Sequence, residues 1–293
     1  MFQGSMVALV TPMSDDGAVD FEALDQLVGF HLDRGTDAIV AVGTTGESAT
    51  LNHDEHCKVV SRVARAVDGA IPVIAGTGSN STSEAIALTK CAQQAGADGA
   101  LLVTPYYNKP TQHGLVAHFR AIAVAVALPQ ILYNVPGRTA CDLLPETVAE
   151  LSAVPNIVGI KEASGDVGRV ARIRELCDHP MDIYSGDDGN ALASIMAGGK
   201  GVISVTANIA PKQVHDVCAM ALAGDHEGAK ALDATLQPLH EALFVESNPI
   251  PVKWGVSALG LCGLGIRLPL TPLSEHLRAD LRAKMVDAGL LPA

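Results

Sequence analysis

The chain holds 293 residues, of which 48% are hydrophobic, 18% charged and only 3% aromatic, and it carries a formal net charge of -12. Such a composition supplies a sizeable core of Ala, Val, Ile and Leu and excludes a disordered chain. The acidic balance excludes a surface built to neutralise nucleic-acid phosphates or an anionic membrane, and leaves small anionic substrates to be held by local donors.

Short apolar runs recur along the sequence, each followed by a loop and a helix-patterned stretch, which is the alternation of a parallel sheet. The runs are Met6 to Val10, Ala38 to Val42, Pro72 to Ala75, Ala100 to Thr104, Gln130 to Tyr133, Ile157 to Lys161, Met181 to Tyr184 and Gly201 to Val205. Helical stretches fall at Asp20 to Arg34, Asn52 to Val67, Ser81 to Ala95, Gln112 to Ala127, Pro145 to Leu151, Asp166 to Cys177, Asp187 to Met196 and Pro211 to Ala223. Asp20, Asn52 and Ser81 stand where a side chain can cap a helix start, Ser81 with Glu84 three residues on. Eight repeats predict a closed TIM (β/α)8 barrel over residues 1–224, because open doubly wound sheets usually stop at about six strands. Over residues 225–293 the strand signal ceases, and Gly228 to Phe244, Pro249 to Leu259 and Thr271 to Ala288 read as helices. No flexible linker precedes this all-helical extension, so it is expected to dock on the barrel or on a partner subunit.

The six cysteines, Cys57, Cys91, Cys141, Cys177, Cys218 and Cys262, show no C-x-x-C pair or metal-ligand spacing and read as free packing thiols. Met1 to Ser5 lacks the features of a signal peptide and no apolar run reaches membrane-spanning length, so a cytoplasmic protein is expected.

In TIM barrels the reacting groups sit at the carboxyl ends of the strands. Here those ends run into Gly43-Thr44-Thr45-Gly46-Glu47, Thr104 to Asn108, Tyr133-Asn134-Val135-Pro136-Gly137-Arg138, Lys161 and Ser185-Gly186-Asp187. The run Asn156 to Glu162 delivers a single lysine, Lys161, at the mouth of the sixth strand. Loss of water there lowers the pKa of an amine and makes it a possible nucleophile; the competing reading is an ordinary strand-end lysine paired with Glu162. Lowering a lysine by ~2 to 3 units corresponds to ~3 to 4 kcal/mol of differential interaction, within what barrel burial supplies. Hydroxyls of Thr44, Thr45 and Tyr133 beside that amine suit Schiff-base chemistry on a keto acid, in which a phenol relays protons. Arg138 offers a planar fork for a carboxylate, with a solvated loop arginine as the alternative, and the glycines around Thr44 and Thr45 leave backbone N–H groups for another.

Other motifs carry less. Gly76-Thr77-Gly78 lacks the third glycine of a dinucleotide fingerprint, Gly43 to Gly46 lacks the lysine of a P-loop, and His53-Asp54-Glu55-His56 is not H-E-x-x-H. No nucleotide and no metal is expected, and His31, His113, His118 and His240 read as surface or cap residues.

With Gly43-Thr44-Thr45-Gly46-Glu47, Tyr133 to Thr139 and Gly159-Ile160-Lys161-Glu162 in hand, the whole chain resembles the dihydrodipicolinate synthase family, one of the pyruvate-dependent Schiff-base lyases and aldolases. The resemblance implies a TIM barrel with a C-terminal helical region that condenses pyruvate with L-aspartate 4-semialdehyde, early in diaminopimelate and lysine biosynthesis. It implies that Lys161 forms the imine, with no other cofactor, and that Tyr133 relays protons with Thr45 and Tyr107, the latter crossing from a neighbouring subunit. It assigns Thr44 and Thr45 to the pyruvate carboxylate, Arg138 to the semialdehyde carboxylate, and Gly186 and the Ile203 carbonyl to the site wall. It further implies a homotetramer and inhibition by L-lysine at Ser48, Ala49, His53, His56, Asn80, Glu84 and Tyr106, with Glu84 pairing the effector ammonium. Two alternatives stay open: a sister aldolase acting on N-acetylneuraminate or a 2-keto-3-deoxy sugar acid, and a catalytically silent sensor. A polyol would need many hydroxyl partners, whereas a short aldehyde acid needs the one cation that Arg138 provides.

Overall fold

Runs of Val, Ile, Leu and Ala that are apolar on both faces cannot stand at a solvated edge, and a sheet made only of them is stable when every strand is covered on both sides. The computed structural model, which describes residues 1–292, meets that condition with a closed barrel of parallel strands. The strands are β1 (Gly4–Ala8), β2 (Ala38–Ala41), β3 (Val73–Gly76), β4 (Gly99–Val103), β5 (Gln130–Asn134), β6 (Ile157–Glu162), β7 (Asp182–Ser185) and β8 (Gly201–Ser204). Pairing of β1 with both β2 and β8 removes the sheet edge.

The helices are α1 (Phe21–Leu32), α2 (His53–Val67), α3 (Thr82–Gln94), α4 (Gln112–Ala125), α5 (Pro136–Thr139), α6 (Pro145–Ser152), α7 (Gly168–Leu176), α8 (Ala191–Met196) and α9 (Pro211–Leu222) around the barrel, then α10 (His226–Ala242), α11 (Ile250–Ala258) and α12 (Glu275–Asp287). Among the described residues no helix is long and apolar enough to cross a membrane.

Alternation along the strands divides the core. Met6, Val40, Ile74, Leu101, Ile131, Tyr133, Tyr184 and Ile203 fill the barrel interior, while the opposite faces pack under the helices. The docking expected of the C-terminal region is observed: α10 packs on α9 and α12, and α11 packs on α12.

Several local expectations are corrected. The first strand begins and ends earlier than Met6 to Val10, because the Val10 N–H donates to Asn208 Oδ1 (3.0 Å) and leaves the ladder. The helix starts at Asp20 and Asn52 are capped as expected, the second as a capping box with Glu55. Ser81 makes no cap bond: its hydroxyl pairs instead with that of Ser83 (3.1 Å), and the Glu84 carboxylate is drawn to Ser79 and His53. His31, His118 and His240 are buried rather than superficial, each held by a threonine hydroxyl, from Thr36, Thr82 and Thr206. Burial pulls His31 down to about 3, so it stays neutral. Cys57 and Cys91 are not free thiols: they form a disulfide between α2 and α3, whose Cα atoms stand 6.0 Å apart.

Candidate active site

Lys161 and Tyr133 face each other because of register. They are directly opposed on β6 and β5, and Tyr133 belongs to the inward-pointing set. Lys161 Nζ lies 4.4 Å from the Tyr133 ring centroid. Glu162, one residue later, turns to the other face, where its carboxylate accepts from Asn134 Nδ2 (3.2 Å) and the Ser164 N–H (2.9 Å) and pairs with Arg169 (3.2 Å). The plain ion pair Lys161–Glu162 is thereby excluded by strand alternation.

Lys161 is 5% exposed, and burial draws its ammonium from 10.5 down to about 8, opposed by the charges of Asp188 and Asp187 and aided by Arg138. The difference amounts to about 3 kcal/mol and raises the neutral fraction at pH 7 from well under a thousandth to about a tenth. Tyr133 is pushed the other way, up to about 12, by burial, with Arg138 and a hydrogen bond from Thr44 restraining it and Asp187 adding to the rise. A phenol kept neutral beside an amine near neutrality is a proton donor set against a nucleophile. Burial also raises Asp187, against the pull of Lys161.

Gly186 makes room for the lysine stem. A Cβ built there would meet Ala163 Cβ at 2.5 Å and Lys161 Cε at 2.9 Å. Lys161, Tyr133, Thr44, Thr45, Arg138 and Gly186 line one cavity of about 60 Å³, sized for a few heavy atoms and too small for a nucleotide. Arg138, which the sequence placed in a loop, sits on the single turn α5. Ile203 packs in the barrel interior, and Val205, two residues on, is the residue after β8 that reaches the cavity. Tyr107 is outside it: the residue is 89% exposed and holds a left-handed φ of 74°.

The loop that carries Thr44 and Thr45 is bracketed by two non-glycine residues in the left-handed region, Val42 (φ 54°) and Glu47 (φ 58°). For a β-branched valine that conformation is costly and persists only where the surroundings fix it. Within the loop the Gly46 N–H is engaged by the Gly43 carbonyl (3.1 Å), so Thr44 and Thr45 are left to supply the expected backbone donors. The Glu47 carboxylate is buried against Lys253 Nζ of α11 and accepts from the Arg267 N–H (3.1 Å). Arg267 in turn clasps Glu55 (2.6 and 2.8 Å) and the Thr50 and Gly17 carbonyls. Two residues missed by the sequence reading also reach the catalytic cavity from beyond residue 224, Phe244 and Asn248.

A second cavity of about 370 Å³ adjoins the first, and Thr44 and Arg138 line both. Ser48, Ala49, His53, His56, Glu84 and Tyr106 line it, and Asn80 contacts one of them, its amide donating to the Tyr106 carbonyl (3.2 Å). Glu84 is held below the usual carboxylate range by Ser79 and then His53, whose Nε2 lies 2.7 Å away. His56 Nε2 sits 2.7 Å from the Gly76 carbonyl, which assigns the proton to that nitrogen and leaves Nδ1 as a buried acceptor. Among the described residues there is no group of three or more His, Cys, Asp or Glu able to hold a metal ion.

Comparison with known proteins adds to this geometry. A family model described as the dihydrodipicolinate synthetase family matches residues 1–288. A relative from Alkalilimnicola ehrlichii named 4-hydroxy-tetrahydrodipicolinate synthase is 63% identical over 291 residues, covering 99% of this chain and 100% of that protein. Among solved structures, the chloride-inhibited dihydrodipicolinate synthase of Acinetobacter baumannii, complexed with pyruvate, is similar with a TM-score of 0.98 and 55% identity, over 99% of this chain and 100% of that one. The enzyme from Cyanidioschyzon merolae with lysine bound is similar with a TM-score of 0.95 and 44% identity, over 99% of each chain. These names are those of a synthase, not of a sugar-acid lyase.

Proposed function

The chain belongs to the dihydrodipicolinate synthetase family, and from that premise we propose that it is a lyase condensing pyruvate with L-aspartate 4-semialdehyde through an imine on Lys161. The product is 4-hydroxy-tetrahydrodipicolinate, on the way to diaminopimelate and L-lysine, made in the cytoplasm. The observation that carries the reading is the buried Lys161 amine, lowered to about 8, facing the neutral Tyr133 phenol across adjacent strands.

The neutral Lys161 amine attacks the keto carbon of pyruvate, and the oxygen leaves as water on taking protons through Tyr133. The relay is assigned to Tyr133 and the hydroxyls of Thr44 and Thr45, which line the same cavity, with Tyr107 reaching in from a neighbouring copy. A tyrosine 89% exposed on a left-handed turn suits that role, and it makes the working unit at least a dimer, within a homotetramer. Thr44 and Thr45 hold the pyruvate carboxylate, and Arg138, which shares the cavity, holds that of the semialdehyde. Loss of a methyl proton from the imine gives an enamine whose carbon attacks the aldehyde. The semialdehyde amine then attacks the imine carbon, closes the ring and releases Lys161. The adjoining cavity takes L-lysine as an inhibitor, with Glu84 and His56 Nδ1 as acceptors for its ammonium groups; Thr44 and Arg138 in the shared wall would carry the effect to the catalytic side.

Incubation with pyruvate and borohydride, followed by location of the adduct by mass and an assay with aspartate semialdehyde, tests the reading. The adduct is expected on Lys161 and is lost in Lys161→Ala; Tyr133→Phe keeps some adduct and loses ~10²-fold or more in turnover. An adduct on any other residue would sink the mechanism.

A further inference from the structure

Asn248 stands at the catalytic cavity without a role in the reaction described so far. It follows α10, is 6% exposed, and divides its polar groups three ways. The side-chain Nδ2 donates to Thr45 Oγ1 (3.0 Å). The backbone carbonyl accepts from Arg138 Nη2 (3.3 Å). The remaining group, Oδ1, is shielded from solvent and has no hydrogen-bond partner among the described residues. Buried polar atoms in native proteins are nearly always paired, so one left over in a residue lining a substrate cavity points to a ligand. An amide oxygen only accepts, so the missing partner is a donor.

We propose that Asn248 determines specificity for the second substrate, its Oδ1 accepting a hydrogen bond from the α-ammonium of L-aspartate 4-semialdehyde; this rests on the reaction proposed above. Pyruvate offers no N–H or O–H donor and cannot satisfy Oδ1. The semialdehyde carries its ammonium on the carbon next to the carboxylate that Arg138 grips. A residue that touches Arg138 through its own carbonyl is placed beside that carbon. The opposite end of the same amide touches Thr45, on the pyruvate side, so one side chain spans both substrates. After the ammonium loses a proton, an N–H can stay on Oδ1 while the lone pair turns toward the imine carbon for ring closure. Asn248 thus separates an amino aldehyde acid from the same skeleton without the amine.

The test uses the full-length enzyme saturated with pyruvate and two ligands: aspartate semialdehyde as substrate, and succinate semialdehyde, which lacks the amine, as a competitive inhibitor. Asn248→Ala is expected to lower kcat/KM for aspartate semialdehyde ~10 to 100-fold, the scale of a lost hydrogen bond to a charged group. The inhibition constant of succinate semialdehyde should move less than about threefold, since that ligand never used Oδ1. Asn248→Asp, which keeps an oxygen acceptor, should regain part of the preference. Equal losses for both ligands would reduce Asn248 to a brace for Thr45 and Arg138 and overturn the proposal, as would no loss for either. If the wild-type enzyme fails to trap pyruvate on Lys161, the parent reaction falls, a result separable from any ratio between the two semialdehydes.

Discussion

Gly186→Ala isolates the steric half of the active site. The added methyl would stand 2.5 Å from Ala163 Cβ and 2.9 Å from Lys161 Cε, both inside the 3.4 Å at which ordinary van der Waals contact begins. Cε is a link in a flexible stem and yields to the second contact, whereas Ala163 Cβ is fixed to its backbone, so the first contact is relieved only by a shift of the chain after β6 that carries Lys161 with it. Displacement of a reacting amine by about 1 Å costs on the order of 10²-fold in rate. Overpacking of a closed site should also lower stability by roughly 1–3 kcal/mol. The readouts are the initial rate of pyruvate-dependent borohydride trapping on Lys161 and the thermal midpoint. Gly29→Ala in α1 is the control: a Cβ there meets nothing within 4 Å, and replacing a helical glycine should stabilise by up to about 1 kcal/mol. Trapping at the wild-type rate in Gly186→Ala, with an unmoved midpoint, would refute the view that this glycine exists to seat Lys161.

Three further expectations follow from the charges. Because burial holds Lys161 near 8 and only the neutral amine attacks, trapping should rise with pH through about 8 and then level; Asp187→Asn removes a charge that favours the ammonium, so the rise should move to lower pH, and an upward move would reverse the assignment. Lys253→Met leaves the Glu47 carboxylate buried without its partner and should cost about 3–5 kcal/mol in urea unfolding, with Glu47→Gln/Lys253→Met recovering much of it; an unchanged midpoint in the single variant would show that the pair is not a clamp. Glu84→Gln should raise the inhibitory L-lysine concentration ~10-fold or more, as expected for one charge-assisted bond, with turnover in the absence of lysine within about twofold of wild type, and inhibition at the original concentration would remove Glu84 from that cavity.

The barrel could be read from the chain because strands buried on both faces are written as continuous apolar runs. Lys161, Tyr133 and Arg138 could be read because that fold gathers chemistry at strand ends. What escaped was set by contacts remote in sequence. Ser247-Asn248-Pro249 has the composition of a plain turn, and only the docking of the C-terminal helices brings its asparagine to Thr45. The four-residue α5 under Arg138 is too short for any periodic signal. His31, His118 and His240 each depend on a threonine supplied by tertiary packing, and the Cys57–Cys91 bridge on the adjacency of α2 and α3.

That loop explains why the C-terminal region is more than an appendage. Val42 and Glu47 hold conformations that their side chains disfavour, and such strain endures only when neighbouring structure outweighs it. The barrel offers part of the restraint, through Thr11 Oγ1, which donates to the Gly46 carbonyl (2.7 Å). Residues after 224 add to it. Lys253 neutralises the buried Glu47, Arg267 bonds Glu47 and binds Glu55, and Asn248 fixes the Thr45 hydroxyl while steadying Arg138. A chain ending at residue 224 would keep Lys161 and Tyr133, but not the ties that set the pose of Thr44 and Thr45. The boundary expected at 224 therefore separates the (β/α) repeats from an all-helical region without separating the cavity around Lys161, which is lined from both sides of it.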